Sequence, residues 1–226
     1  MRMLPALFLL CLAGCVSNPE PATLRLEGDT LYFHGATEVD SVNRAMMLAE
    51  RSEVSISRMV ITSGGGDVEA AMVMAHWVRD LELELVVESL CASSCANYLV
   101  PAASRVWVSS GAVLGWHGSA TLPQPELWDY PRAKELKAKE QALFDRLGLD
   151  PLFAYLGHLE PFRSQRQQAI WTYLPQDLKR MGLGHIEFAD EVPVQSGGAP
   201  AIGVDIFVLG EGFWASPMAR PFLAID

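Results

Sequence analysis

An α/β domain with a mostly parallel sheet is the fold class this sequence predicts. Apolar runs of strand length alternate with amphipathic runs of helix length. From Val54 to His117 they follow the order β, α, β, α, β, which calls for right-handed crossovers between neighbouring parallel strands. With 226 residues, 50% of them hydrophobic and 19% charged, the chain suits one domain with a full core and is too short for two large ones.

The elements follow in order. Met1-Arg2 and the short apolar run Leu4 to Leu12 read as a secretory signal, and Leu12-Ala13-Gly14-Cys15 resembles the lipobox of bacterial lipoproteins. On that resemblance residues 1–14 are removed and Cys15 is acylated. Residues 15–22 then tether a single domain, 23–226, to the membrane, and Val16 points to the outer membrane over the inner one. An ordinary signal peptide with an incidental Cys is the plainer alternative. Leu24 to Glu27 and Leu31 to Phe33, split by Gly28-Asp29, read as a hairpin or a pair of short strands, and Glu38 to Arg51 as an amphipathic helix. Val54 to Ile61 is a strand, and Asp67 can cap the helix Val68 to Leu81. Strands follow at Leu83 to Glu88, Arg105 to Val108 and Ala112 to His117. From about residue 131 the chain turns helical, with Arg132 to Leu147 and shorter helices at Pro151 to Leu156, Pro161 to Thr172 and Pro175 to Met181. Val204 to Leu209 is a last strand.

The net charge of -10 excludes nucleic acid as a partner, since phosphate binding needs clustered Lys and Arg. Membrane contact is expected only through the N-terminal lipid. With Cys11 discarded and Cys15 lipidated, Cys91 and Cys95 remain in an oxidising compartment, where they are expected to form a disulfide, two buried thiols being the alternative. Thiolates and histidines show no paired ligand spacing, so no metal is expected.

Three features carry chemistry. Cys91-Ala92-Ser93-Ser94-Cys95-Ala96 puts two hydroxyls at a helix start directly after a strand, where unpaired N–H groups converge. A Ser there caps a helix more often than it reacts. Gly64-Gly65-Gly66 turns a strand into a helix and exposes backbone N–H groups, and His117 ends an apolar strand between Trp116 and Gly118. In this order and spacing the three resemble the Clp protease proteolytic subunit and its relatives in the crotonase-like superfamily, notably their periplasmic lipoprotein members. The resemblance covers residues 55 to 120, with an echo in Tyr173 to Gly184.

That likeness implies a crotonase-like fold of repeated β-β-α units with C-terminal helices, and homo-oligomers such as rings or trimers. It implies Ser93 as nucleophile, with Ser94 as the alternative, His117 as base, and the N–H groups of Gly65 and Ser94 as the oxyanion hole. The family's acid has no counterpart in Gln167 to Thr172. Asp150, Glu160 and Asp177 are candidates for it, and Gln168 or a backbone carbonyl could orient His117 instead. The expected function is a lipid-anchored envelope serine hydrolase, a peptidase, acting on a peptide or protein without a cofactor. Coenzyme A chemistry is not expected outside the cytoplasm. The rival is an inactive lipoprotein that binds a peptide or protein through Trp116, Trp128, Tyr130 and Phe153.

Overall fold

The computed structural model describes residues 21–120, 131–193, 196–197 and 202–223. The expected signal peptide with its lipobox and Cys15, most of the tether, and Trp128 and Tyr130 lie outside the described residues. No helix among the described residues is long and apolar enough to cross a membrane.

The first six strands of the main sheet are β1 (Thr23–Glu27), β2 (Thr30–His34), β3 (Arg58–Ser63), β4 (Glu84–Ala92), β5 (Arg105–Val108) and β6 (Val113–Gly115). Helices α1 (Val39–Glu50) and α2 (Val68–Asp80) make the crossovers from β2 to β3 and from β3 to β4. A π-helical turn, Cys95–Leu99, runs into α3 (Val100–Ala102), and the C-terminal half opens with α4 (Pro131–Leu147). There follow α5 (Leu152–Tyr155), α6 (Phe162–Gln165), β7 (Ile170–Tyr173), α7 (Pro175–Arg180), β8 (Ile186–Phe188), β9 (Ser196–Gly197), β10 (Ile202–Phe207), α8 (Glu211–Trp214) and α9 (Arg220–Leu223). The main sheet has the order β1-β2-β3-β4-β5-β8, with β6 also on β4, and every pairing except β1 with β2 is parallel. This is the mostly parallel α/β architecture the alternating pattern predicts.

Local chemistry explains where elements begin. Asp67 accepts the Ala70 N–H at 2.7 Å and starts α2, whose Ala71, Met74, Ala75 and Val78 are fully buried. Strand β3 begins at Arg58, later than the apolar residues from Val54 suggest. The Ser52 hydroxyl donates to the Val54 carbonyl at 2.7 Å and accepts the Val54 N–H at 3.1 Å, so it takes the groups a ladder would need.

The larger departure lies at Pro161 to Thr172, where one helix was expected. Only Phe162–Gln165 is helical, and Ile170–Tyr173 pairs in parallel with β10 as part of a small second sheet, β7-β10-β9. The Asp205 carboxylate accepts the N–H groups of Gln167 and Gln168, each at 2.8 Å, and stops the helix before Ile170. From there Ile, Trp, Thr and Tyr are all strand formers.

Burial is the first cause holding the imidazoles of His76, His117 and His185 below their ordinary pKa of 6.5; His185 also donates from Nε2 to the Val100 carbonyl at 3.0 Å. Unfolding returns each to its ordinary value, so just below 6.5 the unfolded chain binds more protons and stability falls as pH drops. The urea midpoint is therefore expected to be lower at about pH 5.5 than at about pH 7.5. An unchanged midpoint would mean that these rings take up protons in the folded state.

Candidate active site

Strand register brings the chemistry-bearing residues together. The front half of β4 pairs with β5, Glu84↔Arg105 through Val87↔Val108, and its rear half pairs with β6, Leu90↔Val113 through Ala92↔Gly115. Strands β4 and β6 therefore leave the sheet side by side, and the Ser93 N–H donates to the Gly115 carbonyl at 3.1 Å. On the other side of β4 the register with β3 shifts between Ile61 and Ser63, so that Ser63 faces Cys91. The glycine turn after β3 thus lies against Ala92, Ser93 and Ser94. Gly65, at φ +93°, comes so close that a Cβ there would stand 2.8 Å from Ser93 Cβ and 2.9 Å from the Ser94 nitrogen.

The two hydroxyls have different fates. Ser94 is buried: its Oγ accepts the Gly66 N–H at 2.8 Å, donates to the Gly66 carbonyl at 3.3 Å and lies 3.0 Å from Thr37 Oγ1. It locks the helix start to the glycine turn. Ser93 sits at φ +58°, a left-handed conformation that costs a non-glycine residue roughly 1–3 kcal/mol. The turn aims its side chain at His117, with Oγ 3.4 Å from Nε2.

A disulfide between Cys91 and Cys95, with Cα atoms 5.4 Å apart, ties the end of β4 to the π-helical turn and brackets Ser93. Replacing both Cys by Ala is expected to cost about 2 kcal/mol in urea unfolding, from the entropy of so short a loop. It should also free Ser93 to relax to negative φ. A double variant as stable as the parent would show that packing alone holds the turn.

Burial first, then the positive charges of His158 and Arg166, holds the His117 imidazole below the usual histidine range. The ring is thus neutral at neutral pH and able to accept a proton. Its placement comes from the backbone. The His158 Nε2–H donates to the His117 carbonyl at 2.8 Å, Asn97 Nδ2 to the Gly118 carbonyl at 2.6 Å, and the Ala120 N–H to Glu140 Oε1 at 3.1 Å. Fully buried Glu140 also accepts the Tyr98 hydroxyl at 2.7 Å. Sequence reading missed His158, Asn97 and Glu140. Only a charged residue amid the apolar face of a predicted helix, Glu140 among Leu136, Leu143 and Phe144, signalled anything.

The candidate acids and the amide are engaged elsewhere. Asp150 accepts the Leu152 N–H at 2.8 Å, and Glu160 accepts the Ser164 hydroxyl at 2.6 Å. Asp177 accepts the Leu209 N–H at 3.1 Å and Trp214 Nε1–H at 3.2 Å, while the side chain of Gln168 packs on Gly203. The Gly65 N–H, expected in an oxyanion hole, donates to Ser63 Oγ at 3.1 Å. The Ser94 N–H stands at the start of a helical run, where no carbonyl of that run can take it. Trp116 and Phe153, expected to line a docking groove, are fully buried in edge-to-face contact at 5.9 Å between ring centres.

Ser93, His117 and His158 open on a cavity of about 550 Å3, which Val68, Tyr98, Ala120, Ala133 and Leu136 line with largely apolar surface. Its size is that of a small-molecule site.

No protein-family model and no curated protein matches the sequence. Solved structures do. An enoyl-CoA hydratase/isomerase from Marinobacter aquaeolei is similar at a TM-score of 0.44 and 14% identity, over 76% of this chain and 71% of that one. An enoyl-CoA hydratase from Bacillus anthracis gives 0.35 and 11%, over 53% and 63%. A methylmalonyl-CoA decarboxylase complexed with 2S-carboxypropyl-CoA gives 0.32 and 8%, over 40% and 47%, so the match spans about half the length of that enzyme.

The fold is mixed α/β with a mostly parallel sheet, and in that it is similar to these crotonase-like structures. The narrower likeness to the Clp protease subunit is not carried by these structures. They are coenzyme A enzymes, and on that finding the expected serine hydrolase of peptidase type is corrected. The site itself agrees with the correction in two respects. Among the described residues no carboxylate is hydrogen-bonded to the His117 ring, and the glycine donor of the expected oxyanion hole is already taken. Of the four aromatics named for the inactive peptide-binding alternative, Trp116 and Phe153 are core, while Trp128 and Tyr130 lie outside the described residues.

Proposed function

We propose that this cleft belongs to an enzyme of acyl-compound chemistry that removes a proton from the carbon next to a carbonyl. The observation that carries the reading is the neutral His117 imidazole, its Nε2 3.4 Å from Ser93 Oγ, at a largely apolar cavity beside the Ser94 N–H. The substrate's carbonyl oxygen accepts the Ser94 N–H, and its acyl chain lies along Val68, Ala133 and Leu136. The C–H bond next to the carbonyl breaks, the proton passes to His117 Nε2, and the electron pair moves through the new carbon–carbon double bond to the carbonyl oxygen. A donor aimed at such an oxyanion contributes about 3–4 kcal/mol to the transition state. Ser93 hydrogen-bonds to Nε2 in the resting site and yields that nitrogen when substrate enters.

The test is exchange in D2O. A saturated acyl thioester of N-acetylcysteamine is incubated with the protein, and deuterium at the carbon beside the carbonyl is followed by NMR. Exchange above the protein-free rate that depends on His117 supports the reading. Absence of exchange across chain lengths, or covalent labelling of Ser93 by a fluorophosphonate, overturns it.

A further inference from the structure

The cavity is not apolar throughout. Helix α4 supplies its far wall, with Ala133 and Leu136 on the inner side and two ammonium groups, Lys134 and Lys137, beside them. The other basic residues of α4 are largely spoken for. Arg132 and Lys139 both pair with Glu69 and Glu135, and Arg146 pairs with Asp80. Lys134 has no acid partner among the described residues, although the chain carries a net charge of -10 and acids are plentiful. A lysine at the wall of a mostly apolar cavity, in a chain so rich in acids, marks where a ligand brings its own negative charge.

We infer that the substrate is an acyl compound whose chain ends in an anion, the carbonyl lying at Ser94 and His117 and the anionic end at Lys134. This rests on the reading of the cleft as an acyl site. The apolar part of the lining, Val68, Tyr98, Ala133 and Leu136, fits methylene groups. The chemistry required of the far end is a full negative charge, which a carboxylate or a phosphate ester supplies equally.

Calorimetric titration of the folded protein with two esters tests this. Monomethyl suberate carries a carbonyl at one end and a carboxylate at the other, and dimethyl suberate is its uncharged counterpart. The monoanion is expected to bind about fivefold more tightly, the order of one partly screened ion pair. Lys134→Ala should erase that preference and Lys134→Arg should keep it. Position 134 is exposed on a helix that tolerates Ala, so both variants should fold. Monooctyl phosphate in place of the carboxylate tells which anion is favoured. Equal binding of the two esters, binding of neither, or a preference that survives Lys134→Ala overturns the inference. The two readings fail separately. A charge preference without deuterium exchange leaves the anion site and removes the proton-transfer chemistry, whereas exchange on neutral acyl compounds without a charge preference does the reverse.

Discussion

His117→Ala is expected to lower the exchange rate by about 10²- to 10⁴-fold, the usual contribution of a positioned general base. The fold should survive, because the backbone bonds that place this segment, from His158, Asn97 and Glu140, use no atom of the removed ring. The pH profile carries the finer prediction. Only the neutral imidazole accepts a proton, so the rate rises with pH through the His117 pKa, and the midpoint falls below 6.5 because burial and the charges of His158 and Arg166 disfavour the protonated ring. Arg166→Ala removes one of those charges and should move the midpoint up toward 6.5, leaving the plateau at high pH in place. A variant lacking His117 that keeps its full rate, or a midpoint above 6.5, would show that some other group takes the proton.

The sequence made the scaffold legible because periodicity and punctuation agreed. Apolar runs of strand length, Asp67 before a helix and glycine after a strand each have one local physical meaning, and β2 through β6 follow from them. What escaped was set by contacts distant in sequence. Residues 161–172 are helix-compatible until Asp205, far along the chain, captures two N–H groups and frees Ile170–Tyr173 to become a strand. Strand β8, Ile186–Phe188, went unread because it is short and half polar, and its place at the edge of the sheet comes from pairing with β5.

The site was legible in its parts and not in its support. Ser93, Ser94 and His117 draw attention through their glycine and cysteine neighbours. Which Ser faces the imidazole depends on a left-handed φ at Ser93 and on the hydroxyl of Thr37, neither of which leaves a local pattern. The resemblance calls for a carboxylate beside the His117 ring. The structure orients the segment instead through its carbonyls and amide. Side chains that bond to backbone are spread over Asn97, Glu140 and His158, and no spacing rule joins them.

Gly65→Ala should then lower both the exchange rate and the stability. Its φ of +93° lies where a side chain is strained at roughly 1–2 kcal/mol, and the new Cβ would meet Ser93 Cβ at 2.8 Å, the Ala92 carbonyl oxygen at 2.9 Å and the Ser94 nitrogen at 2.9 Å. Two of these three are backbone atoms that cannot rotate away. Relief must come from pushing the glycine turn off the β4 exit, which opens the bonds from the Gly66 N–H and Thr37 Oγ1 to Ser94 Oγ and displaces Ser93 from His117. A displacement of about 1 Å at reacting groups costs on the order of 10²-fold in rate. Expected together are a loss of exchange of at least that size and a lower urea midpoint. Gly111→Ala serves as the control, because its φ of +74° carries similar backbone strain while a Cβ there meets nothing within 4 Å. If the two variants lose the same activity, strain alone accounts for the effect; if only Gly65→Ala loses it, the close approach of the glycine turn to Ser93 and Ser94 is what the chemistry requires.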